Sequence, residues 1–230
     1  MAEARSEAGE SPVPPSAPSV TDRPSPLEPA GSGVSEHLPE RLQFLLTVEK
    51  DYETRVRNHP TDTEALFNWA QVLQEKATRF TRLGTTRDSI LHYACDKYEA
   101  IVKAGGASHD VHYNWGVALS DRAKLFAHPE RCRELWVAAQ QQYDAATHHD
   151  PRSVQAHNNR GLALRHVAAL TPPPERASVT HQAIQCFRRA IYLQNNFDRA
   201  IYNLGTVLHK EASEEKAGER KQTSQGVAGG

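Results

Sequence analysis

Residues 66–73 read LFNWAQVL, and the chain repeats this with substitutions as HYNWGVAL at 112–119, HNNRGLAL at 157–164 and IYNLGTVL at 201–208. The small residue of each copy (Ala70, Gly116, Gly161, Gly205) recurs after 46, 45 and 44 residues. A second set of segments keeps the same spacing: ACDKYEAI at 94–101, AQQQYDAA at 139–146 and AIQCFRRA at 183–190. Their aromatics Tyr98, Tyr143 and Phe187 follow Tyr52 at those same three intervals. Two independent markers at one period define an internal repeat. Apolar residues recur within each segment at helical spacing, so each repeat is read as two helices, A then B.

These segments resemble the tetratricopeptide repeat, whose A helix reads W-x2-L-G-x2-Y and whose B helix reads A-x3-F-x2-A before a Pro. Each part has a physical role. The small residue of helix A and the alanines of helix B let the helices approach, and the aromatic fills the gap between them. Ala94, Ala139 and Ala183 match the first alanine, and Ala146 and Ala190 match the second, where Ile101 departs. Pro60 and Pro151 match the terminal Pro, while Gly105-Gly106 and Asn195 stand in its place elsewhere. The resemblance covers residues 38–217 and implies an all-α, right-handed α-α superhelical solenoid of TPR-like hairpins.

The unit of about 45 residues exceeds the family's usual 34, which predicts lengthened helices in a long-repeat variant similar to plant and algal members. Helices are expected near 38–58, 62–83, 86–104, 109–127, 129–149, 153–170, 174–194 and 197–217, with turns at Gly84, His128-Pro129 and Pro172-Pro173-Pro174. A capping box, Thr61-x-x-Glu64, opens the second of them. Arg55, where a small residue is expected, marks the first as an atypical cap.

Residues 1–36 hold seven of the fourteen prolines, an excess of acid and almost no large apolar residues. Such a segment cannot bury enough surface to offset its ordering entropy and is expected to be disordered. Residues 218–230 are expected to fray, with Gly218 as the helix stop. No apolar run suits a membrane span or a signal peptide, and the early Glu3, Glu7 and Glu10 are unlike a transit peptide. The three cysteines (Cys95, Cys132, Cys186) are far apart and fit a reducing compartment. A cytoplasmic location is therefore expected, with a chloroplast-associated one as the alternative that the resemblance suggests.

The net charge of -1 gives no electrostatic reason to expect nucleic acid. No phosphate loop, metal cluster or nucleophile with a base at motif spacing is found, so no enzyme activity, cofactor or metal is expected. His148-His149 at a helix C-terminus oppose its dipole. The remaining histidines read as surface groups. The resemblance implies a protein-interaction scaffold or adaptor, such as an assembly factor, binding an extended protein or peptide segment in the groove of A helices. A helical-repeat RNA-binding protein is the alternative.

The residue two before each small residue is Asn in all four A helices: Asn68, Asn114, Asn159 and Asn203. A primary amide both donates and accepts, so a column of them can match the backbone of an extended partner. The same residues could instead bond a neighbouring helix and set its pitch. One place earlier stand Phe67, Tyr113 and Tyr202, with Asn158 breaking the row, to give apolar contact. Arg165 and Lys210 could pair with acidic partner residues, and Glu75 and Asp121 with basic ones. Similar domains that hold the EEVD terminus of Hsp70 or Hsp90 use a carboxylate clamp. Its five places here hold Phe67, Gln71, Asn114, Gln155 and Asn159; only Asn114 matches and no cation is present. No such clamp is expected.

Overall fold

The computed structural model describes residues 39–79 and 87–227, with side chains as far as residue 217. The expected disordered 1–36 segment and the Gly84 turn lie outside the described residues. Eight α-helices follow one another without an intervening strand among the described residues: α1 (Glu40–Asn58), α2 (Thr63–Arg79), α3 (Arg87–Lys103), α4 (His109–Ala123), α5 (Pro129–His149), α6 (Val154–Ala169), α7 (Glu175–Leu193) and α8 (Asp198–Val227). Each packs on its neighbours in sequence, and the A helices also meet as α2 with α4 and α6 with α8. This is an all-α helical-repeat solenoid that opens on a B-type helix and closes on an A-type helix.

The small residues and aromatics meet as the repeat requires. A Cβ on Gly116 would stand 2.7 Å from the Tyr143 ring, and one on Gly161 would stand 2.6 Å from the Phe187 ring. Tyr98 and Phe187 are fully buried and Tyr143 nearly so. Each such ring contributes about 1.5–3 kcal/mol by burial. The tyrosine hydroxyls reach back to helix A, Tyr98 Oη donating to Gln74 Oε1 (2.6 Å) and Tyr143 Oη lying 3.2 Å from Ser120 Oγ. Burial of Cys95 among these residues pushes its thiol up to about 12.

Several boundaries differ from the sequence expectation, four of them for a visible reason. The N-cap of α2 is Asp62, not Thr61: its carboxylate accepts from Ala65 N–H at 2.9 Å and is held by Arg55 Nε at 2.6 Å. Arg55, the residue that departs from the repeat, thus ties α1 to the start of α2, reaching Glu64 as well at 3.2 Å. Ser108 and Ser153 cap α4 and α6 in the same way. The A helices are also shorter than expected. α4 stops at Ala123 rather than near 127, because Leu125 and Phe126 N–H groups turn back to Arg122 and Ala123 carbonyls ahead of Pro129. α6 likewise stops at Ala169 rather than 170, since the Leu170 N–H turns back to the Val167 carbonyl. Finally, α8 passes through Gly218, the expected stop, to Val227. One glycine costs about 1 kcal/mol in a helix, and the Glu-, Lys- and Ala-rich residues around it are good helix formers. Gly105, at φ +82°, does end α3, and Gly106 N–H closes on Ile101 O at 2.9 Å.

Candidate partner-binding groove

Three cavities lie along the row of A helices, one at each junction. Between α2 and α4 a cavity of about 270 Å³ is lined by Glu64, Phe67, Ile101, Asp110 and Val111. Between α4 and α6 one of about 200 Å³ is lined by Val117, Ser120, Asp121, Trp136, Asn159, Leu162 and His166. Between α6 and α8 one of about 260 Å³ is lined by Arg165, His166, Arg176, Thr180, Val207 and Lys210. Of the residues singled out from sequence, Asp121 and Asn159 therefore share the second cavity, Arg165 and Lys210 share the third, and Phe67 lines the first.

The asparagine row behaves differently along its length. Asn203 and Asn158 are buried, and Asn203 Nδ2 donates to Asn158 Oδ1 at 3.0 Å, from α8 to α6. Asn158 Nδ2 donates to Asn159 Oδ1 (3.1 Å), and Asn159 Nδ2 donates to Tyr113 Oη (3.2 Å), from α6 to α4. These bonds form one chain across three A helices. Asn114 Nδ2 instead donates to Asp110 O within its own helix at 2.9 Å. Asn68 is half-buried. Tyr113 is half-buried and stacked on His109, and burial raises its hydroxyl. Tyr202 is exposed, clear of the three cavities.

Charges of both signs lie along the row. The carboxylates Glu64, Glu75, Asp110 and Asp121 lie on α2 and α4; Arg160, Arg165, Arg199 and Lys210 lie on α6 and α8. Glu75 is bonded by Arg41 at 2.7 Å, which holds its carboxyl below the usual range. Asp121 meets Lys124 at 2.8 Å, and Lys210 lies 3.8 Å from Glu214. Arg165 makes no ion pair among the described residues.

His166, read from sequence as a surface group, is the wall between the second and third cavities. Its ring lies flat on Trp136, with centroids 4.1 Å apart and planes 7° apart. Burial, with Arg165 and Lys124 nearby, pushes its pKa down to about 4, so it is neutral at neutral pH. Unfolding returns it to the ordinary 6.5. As pH falls below about 6.5 the unfolded chain takes up a proton that the folded chain refuses, so stability drops, levelling off below about pH 4. With the partial exposure of the ring screening the effect, the expected loss is about 1–2 kcal/mol. Urea unfolding near pH 7 and near pH 4.5 measures it, and His166→Phe, which keeps the stack, should remove that part of the decline.

Repeated A–B hairpins, glycine-to-aromatic packing and a row of A helices with cavities at their junctions define a TPR-like helical-repeat solenoid. Residues 39–173 match the family described as plant specific mitochondrial import receptor subunit TOM20. The chain belongs to that family. A crystal structure of MamA protein superposes with a TM-score of 0.54 at 14% identity, covering 79% of this chain and 81% of that one, a likeness of fold alone. A second MamA crystal structure gives a TM-score of 0.48 at 14% identity (76% and 94% covered). YrrB, described as a TPR protein with an unusual peptide-binding site, gives 0.29 at 17% identity (70% and 84% covered). No curated protein is similar in sequence.

The family's description corrects the expected location. A mitochondrial import receptor conflicts with both the cytoplasmic and the chloroplast-associated expectation. Composition could not reveal this, because the tail and the cysteines report only on features that a protein facing the cytosol and one attached to an organelle share. The description is that of a receptor, not of an enzyme, and gives the RNA-binding alternative no support. No helix among the described residues is long and apolar enough to cross a membrane.

Proposed function

We propose that this chain is a receptor subunit in mitochondrial protein import, holding the targeting segment of an incoming protein against its A-helix row. The match over residues 39–173 carries this reading, because it spans the first two cavities. Each of those sets an apolar surface beside a carboxylate: Phe67, Ile101 and Val111 with Glu64 and Asp110, and Val117, Trp136 and Leu162 with Asp121. Mitochondrial targeting segments are amphipathic, Arg-rich and poor in acid, so they offer both complements. Asn68 and Asn114 hold the backbone of the segment, with Phe67 and Tyr113 giving apolar contact. Asn159 and Asn203 serve the scaffold through their bonds to neighbouring helices. The EEVD terminus of Hsp70 or Hsp90 is not a ligand, since its carboxylate would find no clamp cation, and nucleic acid is not one either.

Fluorescence anisotropy with a labelled amphipathic, Arg-rich peptide tests the proposal. A scrambled peptide of the same charge should bind at least tenfold more weakly, and Asp121→Lys should cost about tenfold, about 1.4 kcal/mol. Circular dichroism should show the variant folded. Equal binding of the scrambled peptide would rule the reading out.

A further inference from the structure

The third cavity exists because one side chain is missing from it. Counting seven residues back from the B-helix aromatic gives Leu91 in α3, Trp136 in α5 and Thr180 in α7. Leu91 is fully buried, and Trp136 is nearly so. Thr180 is half-buried and lines open space that runs down to Ala168, Ala183 and Val207. The second and third cavities are the same place in successive repeats: Ser120, Asp121, Trp136 and His166 in one become Arg165, His166, Thr180 and Lys210 in the other. Trp136 fills the floor of the first of these sites and stacks on His166. Its counterpart is short by an aromatic ring, and the residue facing the gap is Lys210.

We propose that this gap receives an aromatic side chain, an indole above all, from a partner protein carrying an acidic residue beside that ring. The volume of about 260 Å³ admits one indole; an apolar cavity of about 150 Å³ already holds a benzene. The floor of Ala168, Ala183 and Val207 is apolar. The repeat relation places the incoming ring against Lys210 as Trp136 lies against His166, a cation–π contact. Arg165 makes no ion pair among the described residues, whereas Arg176, which also lines the cavity, is tied by its Nε to Thr171 O at 2.9 Å. Arg165 supplies the partner carboxylate with donors, while Glu211 and Glu214, which line the same cavity, disfavour it on the α8 side. Thr180, Val207 and Lys210 lie beyond the family match at residue 173, while Arg165, His166 and Ala168 lie within it; the proposal does not rest on the receptor reading.

The test uses the full chain and a short capped peptide containing Asp-Trp, followed by the methyl NMR signals of Ala168, Ala183 and Val207. These should shift saturably, and a peptide with Asp-Ala should leave them unmoved. Arg165→Gln should weaken the Asp-Trp peptide severalfold and an Asn-Trp peptide hardly at all. Thr180→Trp supplies the missing ring from within; it should raise Tm by about 2–4 °C and weaken the peptide at least tenfold. Should that variant fail to fold, Thr180→Leu, the side chain of the first repeat, decides the matter by the same loss. Undiminished shifts in a folded Thr180→Trp or Thr180→Leu chain would overturn the proposal. So would concentration-dependent shifts of these methyls without peptide, which would assign the gap to a second copy of the chain.

Discussion

Removing the Asp88 carboxylate as Asp88→Ala is expected to cost about 2–3 kcal/mol, less than for a fully buried pair because the Asp88 side chain is 31% exposed. Arg122 sits in α4 with a side chain only 5% exposed, and its Nε donates to Asp88 Oδ1 at 2.7 Å across to α3. Without that partner the guanidinium is left charged in a place that water hardly reaches. Lys76 in α2 stands at the same place one repeat earlier and is paired with Glu49 of α1. The third repeat has Val167 there and needs no anion. That substitution within the chain suggests the second half of the experiment. Asp88→Ala with Arg122→Met removes both charges and should cost about 1 kcal/mol, well under the single change, because an apolar replacement of a buried pair is often nearly neutral. Urea denaturation of the three chains decides it; a double variant as unstable as the single would show that the loss is one of packing.

Gly161→Ala is expected to lower stability by about 1–3 kcal/mol, against the usual gain of alanine in a helix. The added methyl would meet three atoms of the Phe187 ring at 2.6–2.9 Å, and that ring is fully buried with no room to withdraw. Gly205→Ala is the control. It occupies the same place in α8, where no B helix packs on it among the described residues, and nothing lies within 4 Å of its added Cβ. It should gain up to about 1 kcal/mol. Thermal unfolding of the pair, measured together, separates the two effects. A loss at both sites would mean that the ring contact is not what requires glycine.

The features that were legible in the sequence are those that one contact fixes everywhere. A helix pair this close admits only a small residue opposite an aromatic, so Gly116 with Tyr143 and Gly161 with Phe187 can be read at a fixed spacing. The cap of α2 was less legible, since Thr61 and Asp62 are both good N-cap residues; Arg55, seven residues away, helps select the aspartate. Asn158 looked like a gap in an aromatic row, because a linear pattern does not show that it meets Asn203, 45 residues on. His166 looked like one more polar residue on an exposed face. Its stack depends on Trp136 lying in the preceding helix at the right height. The groove residues were legible as a row, and the cavities were not, because a cavity is set by what the repeat omits, as at Thr180.

The pattern of helix contacts also bears on how the chain reaches this structure. Every substantial contact joins helices that are adjacent in sequence or one apart. No early segment waits for a late one, so the loops to be closed are short and the entropic barrier of distant closure is absent. Such a chain assembles hairpin by hairpin, in the order in which the ribosome releases it. The span that matches the receptor family ends at residue 173, ahead of α7 and α8. Its helices can therefore be packed while the last two are still being synthesised, with the unfilled face of α6 covered only when α7 emerges.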